Sequence, residues 1–130
     1  MSNTVYPFKT KRATNFARKF TQVGHGFVIG DQIYRDDAGV WALAQADDLV
    51  TMRNGMVEQA IDVDNFVVVY MGLMTWTAHG LLLNSSHFLS QTVPGDVDDT
   101  QPAAGFAQFC FTVMDTDTVL ISDQAIIDNS

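Results

Sequence analysis

The chain has one cysteine, one glutamate, three prolines and only two basic residues beyond position 19. The lone thiol, Cys110, cannot close an internal disulfide. Its place between Phe109 and Phe111 suits a buried free thiol better than an intermolecular bridge. The longest apolar run, Phe66 to Met74, spans nine residues and is too short for a membrane helix. Charges near the N-terminus are not followed by the apolar stretch of a signal peptide, so the expectation is folding in a cytoplasm without export.

Catalytic patterns are equally sparse. There is no phosphate loop and no Gly-x-Ser-x-Gly element. With Glu58 the sole glutamate, only aspartates could supply a further carboxylate for glycoside chemistry, and their separation is a matter of folding. The three histidines, His25, His79 and His87, are not clustered with cysteine or carboxylates at zinc-ligand spacing. The acidic groups Asp62/Asp64, Asp96/Asp98/Asp99 and Asp115/Asp117 do not continue into a full calcium loop. Hairpin turns account for two of them, and the 96–99 group is the best remaining calcium candidate. The reading is a protein with no catalytic residues, no cofactor and no metal.

What is present is apolar and β-prone. Hydrophobic residues make up 47% and charged residues 17%, which excludes a disordered chain of this length. Nine phenylalanines, three tyrosines and two tryptophans accompany many valines, isoleucines and threonines, favouring strands over helices. Short apolar runs separated by Gly, Asp and Asn follow one another about every ten residues. They predict strands near 26–35, 40–46, 56–62, 66–74, 80–90, 105–114 and 118–122. Asp36-Asp37-Ala38-Gly39 reads as a hairpin loop, and Thr92 to Ala104 as a long surface loop.

Charge is distributed unevenly. Lys9, Lys11, Arg12, Arg18 and Lys19 stand in an acid-free start, whereas the rest of the chain carries two basic and fifteen acidic residues. Such a polarity suits a basic arm over residues 1–20 that docks on an acidic surface, with Ala13 to Phe20 able to form two helical turns. Phe8, Phe16 and Phe20 are interleaved with these charges. Nucleic acid is the competing partner for the arm, but the acidic body would oppose its approach.

An internal repeat organises the remainder, residues 21–130. Thr21-Gln-Val-Gly-His25-Gly26-Phe27-Val28-Ile29-Gly30 resembles Thr75-Trp-Thr-Ala-His79-Gly80-Leu81-Leu82-Leu83-Asn84 at an offset of 54. Ile61-Asp62-Val63-Asp64-Asn65-Phe66-Val67-Val68-Val69 resembles Met114-Asp115-Thr116-Asp117-Thr118-Val119-Leu120-Ile121 at an offset of 53. Repeat one covers about 21–72 and repeat two about 75–126. The expected fold is mainly β: an antiparallel barrel or sandwich-like domain built from two units of about 53 residues, preceded by the arm. His-Gly would open each unit with a turn, and Asp-x-Asp would form a hairpin.

The run His25-Gly-Phe-Val-Ile-Gly-Asp31-Gln-Ile-Tyr34, followed by Trp41-Ala-Leu-Ala-Gln45-Ala46-Asp47, resembles a module common in tail-fibre and head-surface proteins of bacteriophages. Asp64-Asn65-Phe66 and Leu89-Ser90 with Gly95 fit later positions of that module, and the resemblance covers residues 21–122. In its second half Asn84-Ser85-Ser86-His87-Phe88 replaces the usual Gly-Asp-x-Tyr-Tyr. The resemblance implies a virion location on the outer particle surface and self-association as a homotrimer. The short basic arm points to a capsid decoration protein, of cement or head-fibre type, made in the host cytoplasm. Its partner would be the major capsid protein or another virion protein, with no nucleic acid and no membrane. Phe8, Lys9, Lys11, Arg12, Phe16, Arg18, Lys19 and Phe20 are the candidate anchoring residues. The alternative is a tail-fibre or receptor-binding module for host-surface glycan. For that role Tyr70 and Trp76 are the candidate stacking or interface aromatics, while Trp41 falls in the module's core position.

Overall fold

The computed structural model describes residues 15–122 and 126–129. In chain order the strands are β1 (Asn15–Thr21), β2 (Gln32–Arg35), β3 (Trp41–Leu43), β4 (Gly55–Ala60), β5 (Asn65–Thr75), β6 (Ser86–Leu89), β7 (Val97–Asp98), β8 (Phe106–Ala107), β9 (Phe109–Asp115), β10 (Thr118–Ile121) and β11 (Ile127–Asp128). A single 3-10 turn, Leu49–Thr51, is N-capped by Asp48, whose side chain accepts from the Val50 N–H. Nine strands form one sheet in the order β3-β2-β4-β5-β10-β9-β6-β7, with β1 also on β5, while β8 and β11 pair separately. The pairings are antiparallel, and the sheet curls into a half-barrel. The mainly β, antiparallel expectation is met at that level.

Strand β5 organises the sheet. Val69 pairs with both Ala17 of β1 and Met56 of β4, so those strands lie on opposite edges. Gly72 pairs with both Asn15 of β1 and Ile121 of β10. Thus β1 runs along one edge, and β4 and β10 share the other in succession. The run Phe66 to Met74 supports this because its β-branched and aromatic side chains fit a strand buried on two sides. Phe66 and Val68 enter one core with Phe27, Ile33, Trp41 and Val57. Val69 and Met74 enter a second with Leu89, Cys110, Phe111, Val113, Val119 and Ile121. Full burial of a side chain such as Phe66 stabilises the fold by about 1.5–3 kcal/mol.

The curl brings the two ends of the strand path together. Gly95 N–H donates to Ala44 O (2.7 Å), Gln32 N–H to Gly95 O (3.0 Å) and Ala46 N–H to Ser90 O (2.8 Å). These bonds join the segments around β2 and β3 to those around β6 and β7.

Three sequence expectations are corrected. Asn15–Phe20 belongs to a strand rather than to helical turns. Its middle residues, Ala17 to Lys19, are all exposed, because β1 is held by backbone pairing to β5 and not by a buried face. Residues 1–14 of the expected arm lie outside the described residues. The strands expected from 26 and 80 begin only at Gln32 and Ser86, since the preceding residues are folded into turns. The 92–104 loop contains β7, which pairs with β6.

Candidate functional site

Each His-Gly segment folds on its histidine. Phe27 N–H donates to His25 Nδ1 (2.9 Å), which leaves Nε2 as the donor to Asp62 O (2.7 Å). Leu81 N–H donates to His79 Nδ1 (2.9 Å), and Nε2 donates to Asp115 O (2.6 Å). The tautomer is assigned from these partners. Asp64 Oδ1 accepts from Gly24 N–H (2.9 Å), and Asp117 Oδ1 from Ala78 N–H (2.9 Å). Gly24 and Ala78 both take positive φ, at 65° and 54°. Asp62 and Asp115 have carboxyl pKa values below the ordinary range, chiefly because backbone N–H groups of Asp64 and Asp117 bond their charged forms. Both ring nitrogens of His25 and His79 are therefore engaged with backbone, as struts rather than ligands.

His87 is buried against Phe111 of the larger core. Its ring stacks on Phe111, and burial pushes its pKa below the ordinary value. Among the described residues no three His, Cys, Asp or Glu side chains are grouped to hold a metal ion. In the 96–99 segment Asp96 accepts from Val97 N–H (2.8 Å) and Asp99 from the Thr100 hydroxyl (3.3 Å).

A groove of 270 Å³ opens where the turn before β2, the end of β5 and the loop between β6 and β7 converge. It is lined by Ile29, Gly30, Asp31, Trp76, Val93, Pro94, Gly95 and Asp96. Trp76 is held from one side by its backbone N–H, which donates to Asp117 O (2.7 Å). Its benzo edge lies so close to Gly30 that a Cβ there would stand 2.3 Å from Cη2. Gly30, at φ 92°, is thus required both by its backbone conformation and by the indole. The Asp31 carboxyl accepts from Val28 N–H (2.9 Å). Its pKa is raised, first by burial and also by the nearby charge of Asp96, against the lowering effect of that bond. Next to Asp31 in the chain, fully buried Gln32 donates from Nε2 to Gly30 O (3.0 Å), while its Oε1 has no hydrogen-bond partner.

Of the anticipated residues, Trp76 lines this groove and Tyr70 does not. Tyr70 is half-buried against the smaller core, and burial raises its pKa, with Arg35 and Arg18 acting in the opposite direction. Trp41 is buried, as expected of its core position. Phe16 is 69% exposed, and Arg18 and Lys19 are exposed on β1. Phe20 turns inward onto Trp41 with ring centroids 5.0 Å apart, and the Arg35 guanidinium lies 5.1 Å from its centroid. Phe8, Lys9, Lys11 and Arg12 lie outside the described residues. The groove residues Gly30 and Asp31 were read from sequence only as part of the His25 to Tyr34 run and not as site residues. A signal did exist: Gly-Asp occurs at both 30–31 and 95–96, each glycine with positive φ.

With this geometry established, the chain was compared with known proteins. No family model, curated protein or solved structure matches it.

Proposed function

We propose that this chain is a non-enzymatic structural protein of a tailed-phage virion, a capsid decoration protein attached through its basic N-terminal segment. The observation that carries the reading is β1. It pairs with β5 alone among the described strands, and on it Phe16, Arg18 and Lys19 are exposed. Earlier in the sequence stand Phe8, Lys9, Lys11 and Arg12, of the same basic and aromatic character. An edge strand of this kind has free backbone groups and offers both charge and apolar area to a partner. The acidic body would face solvent on the outer surface of the particle, as a homotrimer.

We infer also that the body is two copies of one five-strand unit. Strands β1 to β4 and the start of β5 would form the first; the end of β5 with β6, β7, β9 and β10 would form the second. The matched bonds of His25 and His79 and the same pairing order in both halves support this.

The test is cryo-electron microscopy of particles carrying the intact chain or the variant Phe8→Ser/Lys9→Ser/Lys11→Ser/Arg12→Ser. Density at regular capsid lattice sites, lost with the variant, is the expected result. Retention of that density, or density confined to the tail tip, would overturn the decoration reading.

One observation favours a second reading, a tail-fibre or receptor-binding module for host-surface glycan: Trp76 lines an open groove. Glycan-array binding lost on Trp76→Ala would support it.

A further inference from the structure

Two of the basic side chains meet on one ring. The Arg18 guanidinium lies 5.6 Å from the Phe20 centroid, and that of Arg35 lies 5.1 Å from it. Strand register brings them there. Arg18 and Phe20 pair with Val68 and Phe66 of β5, which places both side chains on the side of the smaller core. Arg35 pairs with Trp41, a member of the same core, and its guanidinium is 5.7 Å from that indole. Tyr70 follows two residues after Val68 and packs on this core too. Burial raises the pKa of its phenol, and the charges of Arg35 and Arg18 act against that rise.

The chain has fifteen acidic residues, yet neither arginine is ion-paired with any of them among the described residues. Asp36, beside Arg35, accepts instead from the Ala38 and Val40 N–H groups (2.9 Å each). Glu58 accepts from Asn15 Nδ2 (3.1 Å). Arg35 Nε–H donates to Gly39 O (3.1 Å), which fixes the guanidinium. Its two terminal nitrogens, and the Tyr70 hydroxyl, have no hydrogen-bond partner among the described residues. Contact with an aromatic ring stabilises each guanidinium singly, but gathering two without a carboxylate adds repulsion that an anion would relieve.

We propose that Arg18, Arg35 and Tyr70 form a binding site for a phosphate group. Two guanidiniums match the charge of about −2 that a phosphomonoester carries near neutral pH. Their planar forks and the phenol hydroxyl supply donors to its free oxygens. A single carboxylate would leave one cation uncompensated, and a neutral ligand would leave both. The phosphodiesters of nucleic acid carry one charge each, on a polymer that the acidic body repels. Two sources share the favoured chemistry: free inorganic phosphate, and a phosphoryl group on a small organic molecule. The inference does not rest on the capsid-anchoring reading, and phosphate binding by a chain absent from the capsid would leave it standing.

The test is an NMR titration of the full ¹⁵N-labelled chain at constant ionic strength, following the Arg18 and Arg35 Nε–H groups and the Gly39 amide. Inorganic phosphate, glycerol 3-phosphate and acetate are the titrants. Saturable shifts with the phosphates are expected, with affinity about tenfold weaker for acetate and about tenfold weaker in Arg18→Gln or Arg35→Gln. Tighter binding of glycerol 3-phosphate identifies an organic phosphate as the ligand class, and tighter binding of inorganic phosphate identifies the free ion. Thermal unfolding confirms that the variants are folded. Arg18 is exposed, so Arg18→Gln decides the matter if Arg35→Gln does not fold. The response should persist in the full-length variant Lys9→Ser/Lys11→Ser/Arg12→Ser. No saturable shift, an equal response to acetate, or an affinity unchanged in Arg18→Gln overturns the proposal. Loss of the response in the Lys9/Lys11/Arg12 variant also overturns it, because the anion would then sit on the N-terminal cations.

Discussion

The imidazole of His87 lies nearly parallel to the ring of Phe111, at an interplanar angle of 12° and a centroid separation of 5.2 Å. Burial disfavours the imidazolium there, against the contrary pull of the Ser85 backbone and of Asp99 and Asp98, and with a small contribution from His79 in the same direction as burial. The folded-state pKa is therefore below the ordinary histidine value of 6.5.

The direction of the pH effect follows. Below about pH 6.5 the unfolded chain binds a proton at His87 that the folded chain does not. Stability is thus fully present above that pH and falls as pH drops through it. Thermal melts should show a decline below pH 6.5 that is reduced in His87→Leu. An unchanged slope in that variant would mean that other groups set the dependence.

The histidine struts give a second prediction. His25→Ala and His79→Ala each remove two hydrogen bonds at a turn and should each cost about 1–3 kcal/mol in urea unfolding. They share no hydrogen-bond partner, so the double variant should be additive to within about 0.5 kcal/mol. A large cost at one position and none at the other would count against two equivalent units.

Gly30→Ala should be costly for two separable reasons. The residue's positive φ strains any L side chain by about 1–3 kcal/mol, and contact with Trp76 adds an overpacking cost of about 1–3 kcal/mol. In a Trp76→Ala background the second contribution should vanish while the first remains. A double-mutant cycle in denaturant reads the difference, and zero coupling would show that the indole moves aside freely.

How much of this was legible in the sequence depends on what each element is held by. The Phe66 to Met74 run announced β5 because pairing along both edges and packing into two cores select β-branched and aromatic residues. Strand β1 was missed because Ala17 to Lys19 are exposed and covered by none of the described residues, so no alternation is written into it. The turns before β2 and β6 were mistaken for strand because Phe27 to Ile29 and Leu81 to Leu83 are apolar. Ring nitrogens of His25 and His79 take the bonds that a neighbouring strand would otherwise make. Trp76 stood out as a candidate, but its companions Asp31 and Asp96 lie 65 positions apart in the chain. Only the curl that joins Gly95 to Ala44 and Gln32 brings them together.

Cys110 supplies a probe of that curl. The thiol is fully buried in the larger core, and burial pushes its pKa up to about 11, although Arg53 nearby acts to lower it. Reaction with a disulfide reagent requires the thiolate. At pH 8 only about one thiol in a thousand would be ionised at such a pKa, and none would be within reach of the reagent. Modification should therefore proceed through opening of β9 from its neighbours, at a rate that reports the free energy of that opening. The native chain should react at least about a thousandfold more slowly than the chain in denaturant. If His79→Ala loosens the turn that rests on Asp115 at the end of β9, it should accelerate labelling more than His25→Ala does, because His25 braces the distant β4–β5 hairpin. Equal acceleration by both would indicate that the sheet opens as one cooperative body.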